Sequence, residues 1–250
     1  VPRDVFFEDP LSVAADRRRL SEPIARIAPR AVSSPSLGTL ANSMSIIDTA
    51  VLREAPVRSE PFDHVIAPGL VHGESLAAVH QDFPKMDRPG SVPLTALAYG
   101  PAFGELIEGL RSAETAEIFS EKFDIDLTGR PTMVTVRGWC RARDGKIHTD
   151  SKDKMVTVLL YLNPAWEDQG GRLRLLRQPD DIDNFQAEVP PDEGTLLAFK
   201  CTENAWHGHK SFEGERRAIQ LNWVTDERYV KREQRRHKVS SFFKRIGLAS

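Results

Sequence analysis

Cysteine is scarce in this chain: two of 250 residues, Cys140 and Cys201, neither in a Cys-x-x-Cys pair. That scarcity excludes a zinc ribbon or a disulfide scaffold and fits a reducing, cytoplasmic compartment. There is no apolar run of the roughly 18 residues that a membrane-crossing helix needs. The first residues, Val1-Pro2-Arg3-Asp4, have neither a methionine nor the apolar stretch of a signal peptide. An excess of charge of one sign is missing too. Lys and Arg number 34 against 36 Asp and Glu, a net charge of −2, so no overall field draws the chain to nucleic acid or to a membrane.

What remains is ordinary for a globular protein, with 40% hydrophobic and 28% charged residues and enough length for one sizeable core. Three regions are expected. Residues 1–60 read as an N-terminal extension or linker, partly helical around Arg17-Arg18-Arg19-Leu20, then rich in Pro, Ser and Ala, with a short apolar segment at Ile46-Ile47 and Val51-Leu52. Residues 61–226 read as the compact domain. Residues 227–250 read as a basic helical tail, with Lys231, Arg232, Arg235, Arg236, Lys238, Lys244 and Arg245 around Phe242-Phe243. Its plain reading is a solvated helix packed on the domain; the alternative is a contact with a membrane surface or an acidic partner.

Within the domain, Pro61–Ile66 reads as a first strand. Leu76, Ala77, Val79, His80 and Phe83 recur at helical spacing until Pro84 ends the run. Further helices are expected over Pro101–Leu110, with Phe103, Leu106, Ile107 and Leu110 on one face, and near Thr115–Phe123. After Asp126 the pattern changes to short strands: Met133–Val136, Met155–Leu162, Arg172–Leu175, Thr195–Phe199 and Ala218–Val224, punctuated by Gly170-Gly171 and Pro191. Helices followed by many short strands indicate an α+β fold with a closed or sandwiched sheet.

The chemistry-bearing pattern is His148-Thr149-Asp150. In an extended segment, residues two apart point to the same side, so an imidazole and a carboxylate converge. A third donor comes from Trp206-His207-Gly208-His209, where His207 and His209 compete for the role. Two histidines and one carboxylate with open positions opposite are what a mononuclear non-haem iron(II) oxygenase needs. The same donors could serve a zinc hydrolase.

The surrounding text resembles the 2-oxoglutarate- and iron(II)-dependent dioxygenases, in their prolyl-4-hydroxylase-like branch. The resemblance runs through His148-Thr149-Asp150, Lys154–Pro164 with Tyr161-Leu162-Asn163, Trp166, Gly170-Gly171-Arg172-Leu173-Arg174-Leu175 and Gly194–Phe199. It closes with Trp206-His207, Gly214-Glu215-Arg216-Arg217-Ala218-Ile219 and Asn222-Trp223. It covers roughly residues 61–226 and is densest between 133 and 224.

The resemblance implies a double-stranded β-helix (jelly-roll, cupin-like) core with helices packed on one sheet. It implies Fe(II) on His148, Asp150 and His207, 2-oxoglutarate as co-substrate, dioxygen as oxidant, and ascorbate as an auxiliary reductant. A cation must meet the distal carboxylate of 2-oxoglutarate, and the fork of an arginine suits it. The family's Gly-x-Arg pattern selects Arg216, nine residues after His207; Arg217, ten after, is the alternative, and only one of two adjacent strand residues can face inward. The resemblance adds Tyr161 at the same carboxylate and Arg137 near the other one. Lys154, His209 and Trp139 are candidate substrate contacts, with Trp139 and Cys140 placed on a loop before the metal motif. His209 as ligand would bring the arginine closer than the family's spacing, so it reads as a rim residue. His64, His72, His80 and His237 have no partner pattern and read as structural or surface residues.

The implied reaction couples decarboxylation of 2-oxoglutarate to hydroxylation of an unactivated C–H, on a prolyl or other amino-acid residue. The alternatives are a small metabolite or glycan precursor as substrate, or a non-catalytic sensing module on the same fold. Asp150 disfavours halogenation, which needs a small residue there. Substrate loops are expected at residues 85–100, 137–147 and 178–188.

Overall fold

The structure, a computed structural model, describes residues 45–86 and 89–233. The basic stretch around Arg17, the linker as far as Met44, and the tail beyond Glu233 with His237 lie outside the described residues.

Four helices precede or interrupt the first strands: α1 (Thr49–Glu54), α2 (Gly73–Asp82), α3 (Pro101–Leu110) and α4 (Ala113–Phe123). Three of them begin where the sequence supplies a start. Asp48 caps α1 by accepting from the Ala50 amide, Pro101 opens α3, and the Ser112 hydroxyl accepts from the Thr115 amide at 3.1 Å to cap α4. The α4 helix ends on Asp124 in the left-handed region, φ 48°. Ile47 and Leu52 are buried in the same cluster as α3 and α4, so packed structure begins ahead of Pro61, where the sequence pattern opens the domain.

Nine strands follow the order β1 (His64–Ala67), β2 (Ser91–Pro93), β3 (Thr132–Cys140), β4 (Lys154–Tyr161), β5 (Leu173–Leu176), β6 (Phe185–Val189), β7 (Leu196–Lys200), β8 (His207–His209) and β9 (Gly214–Val224). They form a six-stranded sheet, β1-β7-β4-β9-β3-β2, and a three-stranded sheet, β6-β5-β8, both antiparallel. This is the two-sheet core of a double-stranded β-helix with helices on one sheet. Two segments expected to be loops carry strands. β2 lies within 85–100 and pairs with β3, and β6 begins inside 178–188 and pairs with β5.

The pleat of the large sheet separates two environments. Val156, Val158 and Leu160 of β4 and Ile219, Leu221 and Trp223 of β9 pack against Phe103, Leu106, Ile107, Ile118 and Phe119 of the helices. The intervening residues, Tyr161 and Ala218 among them, face the small sheet and pack with Leu173, Leu175, Val189 and Phe199. Phe119 and Trp223 meet edge to face at 5.8 Å. Loss of a ring at such a position costs about 3–5 kcal/mol, a large share of the roughly 5–15 kcal/mol that holds a domain folded. The helices therefore brace the sheet from outside, and its inner face is left for polar residues.

The described start of the tail, residues 227–233, is helical, and Tyr229 and Val230 are buried beside Val224 and Met133.

Candidate active site

The segment that carries His148 and Asp150 is stapled directly to β8. His148 and His207 exchange both backbone hydrogen bonds at 3.0 Å, and the His209 amide donates to the Gly145 carbonyl at 2.9 Å. Gly145 has φ +81° and packs so closely on the His209 ring that no Cβ fits there. Backbone pairing alone thus brings two imidazoles to a ring separation of 4.3 Å. Donor atoms of His148, Asp150 and His207 all lie within 4.8 Å of one another.

The donor chemistry fits a divalent metal. In both histidines Nδ1 faces a carbonyl, Lys146 at 2.8 Å for His148 and Ala205 at 2.9 Å for His207. A carbonyl can only accept, so Nδ1 carries the proton and Nε2 keeps its lone pair for a metal. Burial pushes the His207 imidazole down to about 4, and the neighbouring His148 adds to the fall, so it is neutral at physiological pH. Burial opposes ionisation of Asp150 most strongly, but the charges of Lys154 and His207 and the hydrogen bonds from Lys154 and Thr157 together outweigh it, and the carboxyl sits below its usual range. Lys154 Nζ lies 2.7 Å from Asp150 Oδ1, and the Thr157 hydroxyl donates to Oδ2 at 2.5 Å. Lys154 therefore grips the carboxylate; the resemblance sets it at the mouth of the site, as a substrate contact or a solvated lysine.

These residues open onto a cavity of about 140 Å³ between the sheets, lined also by Ser91, Arg137, Leu159, His209, Arg216 and Gln220. Of the two adjacent arginines, Arg216 is buried in this lining, over the Tyr161 ring at 5.1 Å, with Nε donating to Gly171 O at 2.8 Å. Arg217 lies on the opposite face of β9, over Phe83 and paired with Glu215. The Tyr161 hydroxyl is buried beside Arg216 without a hydrogen-bond partner among the described residues. An unpartnered buried hydroxyl is costly, and a carboxylate between it and Arg216 would satisfy both. The residues present therefore fit 2-oxoglutarate as well as a metal.

Arg137 donates to Asp144 Oδ2 at 2.8 Å and to Ser91 Oγ at 3.2 Å. His209 also lines the cavity; burial, then the charge of Arg216, lowers it to about 4. Trp139 and Cys140 are on β3, not on a loop. Trp139 is exposed and outside the cavity lining, whereas Cys140 is buried with its Sγ 3.8 Å from His209 Nε2. His64, His72 and His80 do not line the cavity.

Residues 140–225 match the family description "2OG-Fe(II) oxygenase superfamily". The matched segment holds His148, Asp150, His207 and Arg216. Members of that superfamily use Fe(II), 2-oxoglutarate and dioxygen. No curated protein matches the chain. Among solved structures, a Pseudomonas putida prolyl-4-hydroxylase is 16% identical, with 65% of this chain and 88% of that one covered and a TM-score of 0.47. A Phytophthora capsici prolyl 4-hydroxylase is 17% identical over 73% and 64%, TM-score 0.48. The viral collagen prolyl hydroxylase of Paramecium Bursaria Chlorella virus-1, in its 2OG complex, is 17% identical over 65% and 96%, TM-score 0.44.

The candidate site contains polar residues whose role the sequence pattern does not single out. Asn222 and Gln220 of β9 reach the cavity side, and Asp144 and Ser91 hold Arg137. The available signal was the alternation along β9, which leaves two polar residues at inward positions between Ile219, Leu221 and Trp223.

Proposed function

We propose that this chain is a 2-oxoglutarate-dependent hydroxylase in which His148, Asp150 and His207 hold Fe(II), and Arg216 with Tyr161 holds the distal carboxylate of 2-oxoglutarate. The observation that carries this reading is one cavity shared by the three donors and Arg216, with the unpartnered Tyr161 hydroxyl beside that guanidinium. Bound iron with 2-oxoglutarate and dioxygen supplies the oxidising power for C–H hydroxylation. The protein supplies the geometry. Carbonyl partners fix the tautomer of both histidines, Lys154 and Thr157 hold Asp150 ionised, and Leu159, Leu173 and Ala218 keep one wall dry. Arg137, held by Asp144 and Ser91, is set to meet the second carboxylate, and His209 lies on the same wall. Arg217 belongs to the outer face and takes no part in this assignment.

The resemblance to the prolyl-4-hydroxylase-like branch supports a prolyl or other amino-acid residue as substrate, in a peptide or free. Two unpaired cysteines support a cytoplasmic setting, and among the described residues no helix is long and apolar enough to cross a membrane. Anaerobic addition of Fe(II) and 2-oxoglutarate should produce a weak visible metal-to-ligand absorption. It should be absent in Asp150→Ala, and succinate release should fall to background in that variant. A protein that turns over without 2-oxoglutarate or dioxygen would instead be a hydrolase on the same donors.

A further inference from the structure

The carboxylate ligand is the least constrained member of such a triad. Each histidine is pinned by a backbone carbonyl, but a carboxylate can rotate about Cβ–Cγ and present either oxygen. Here a buried chain of side chains ends on Asp150. Gln220 Nε2 donates to Asn222 Oδ1 at 3.2 Å, Asn222 Nδ2 donates to Thr157 Oγ1 at 2.6 Å, and Thr157 Oγ1 donates to Asp150 Oδ2 at 2.5 Å. The direction of every link is forced. An amide nitrogen only donates, a carboxylate only accepts, and the single hydroxyl proton of Thr157 is spent on Asp150. Cys201 Sγ lies 3.3 Å from Thr157 Oγ1 and 3.9 Å from Asp150 Oδ2, so its thiol has an oxygen acceptor on either side. Asn222 and Thr157 are each 1% exposed, and burying two such groups on the inner face of a barrel is unfavourable unless they are paired. The register places them directly opposite each other, Thr157 against Asn222 across β4 and β9.

The other oxygen of Asp150 is engaged by Lys154, whose side chain is 12% exposed. A buried ammonium competes with a metal for the same carboxylate. Without a second anchor, Asp150 is free to turn fully toward Lys154.

We propose that Thr157, backed by Asn222 and Gln220, is a positioning residue for the metal: it fixes the plane of the Asp150 carboxylate against the pull of Lys154, so that one oxygen stays available to the ion. The inference rests on Asp150 being a ligand. Donors cooperating along such a chain strengthen one another, and outer partners of metal ligands typically contribute about 10- to 100-fold in affinity.

The test is Mn(II) binding to the full chain, without co-substrate, followed by titration calorimetry and by electron paramagnetic resonance of the free ion. Wild type and Thr157→Ser, which keeps the hydroxyl, should bind alike. Thr157→Val, which keeps the shape and removes the donor, should bind roughly 10- to 100-fold more weakly. At saturating Mn(II), 2-oxoglutarate affinity should be unchanged in both, because its anchor is Arg216. Equal Mn(II) affinity in Thr157→Val and wild type overturns the proposal. So does equal weakening in Thr157→Ser and Thr157→Val, which would mark a packing defect. If Thr157→Val does not fold, Asn222→Ala interrupts the chain one link out and must weaken Mn(II) in the same direction. A separate result, Mn(II) binding unaffected by Asp150→Ala, would remove the ligand assignment itself.

Discussion

Arg216 and Arg217 are adjacent and chemically identical, yet the pleat of β9 turns one guanidinium into the cavity and the other outward over Phe83. Two neighbours fix this choice. The Asn163 side chain accepts from the Arg217 amide at 2.6 Å and donates to the Arg217 carbonyl at 3.0 Å, which locks the start of β9 to the end of β4. The Gly171 carbonyl then takes the Arg216 Nε proton. Arg216→Ala should raise the 2-oxoglutarate concentration needed for half-maximal succinate formation roughly 10- to 100-fold, matching the ~1.5–3 kcal/mol of hydrogen bonds to a charged group. Arg217→Ala, whose ion pair with Glu215 is exposed, should change it by no more than about twofold. The reverse result would mean that β9 is out of register by one residue. Sequence favoured Arg216 through the Gly-x-Arg pattern of Gly214-Glu215-Arg216 but kept Arg217 open, because spacing from His207 fits both. The deciding contacts come from Asn163 and Gly171, which are legible as motif residues but not as the anchors of this side chain.

At the scale of the element, the pairing of residues 145–148 with β8 matters most. Three backbone hydrogen bonds join the segment bearing two donors to the strand bearing the third. The centre is therefore set by main-chain geometry before any metal arrives. Gly145 is the point where this pairing cannot tolerate a side chain, because the His209 ring fills the space and φ is positive. Gly145→Ala should weaken Mn(II) binding about 10-fold or more and leave far-ultraviolet circular dichroism unchanged. Binding equal to wild type would show that the loop adjusts independently of β8. The spacing of His148 and Asp150 revealed the convergence of their side chains. It could not reveal the bridge to His207, which depends on a three-residue strand too short to leave a periodic signal. Longer elements were far more legible. The α3 helix runs from Pro101 to Leu110 as its periodicity indicates, while β3 extends to Cys140, beyond the β-branched run that announces it. The short strands β2 and β6 carry Pro93 and polar residues and read as loops.

For the molecule as a whole, the site is a burden on stability in acid. His207 and His209 are buried neutral, each with a folded value of about 4 against an ordinary 6.5. The unfolded chain binds these protons first, so stability is fully present above about pH 6.5 and is lost as pH falls toward about 4. The loss is on the order of 3 kcal/mol for each histidine. Asp150, with its value lowered, acts in the same direction at still lower pH. The urea midpoint of the metal-free protein should therefore fall steadily between pH 6.5 and pH 4.5, a trend monitored by tryptophan fluorescence. A midpoint that is flat or rises over that interval would contradict the burial of these imidazoles. The layered plan itself was readable from the order of helices and strands, and its family from dense motifs between His148 and Trp223. The packing of Ile47 and Leu52 into the core was less so, because the Pro- and Ser-rich stretch before them masks where the domain starts.

One strand shows what such a plan makes possible. Along β9, Ile219, Leu221 and Trp223 answer to the helices, while Arg216, Ala218, Gln220 and Asn222 answer to the cavity. Two inheritances are interleaved on a single ribbon, with every second residue free of the demands on its neighbours. A lineage built this way can change what it oxidises by altering one set without renegotiating the other, and chemical novelty need not wait for structural repair.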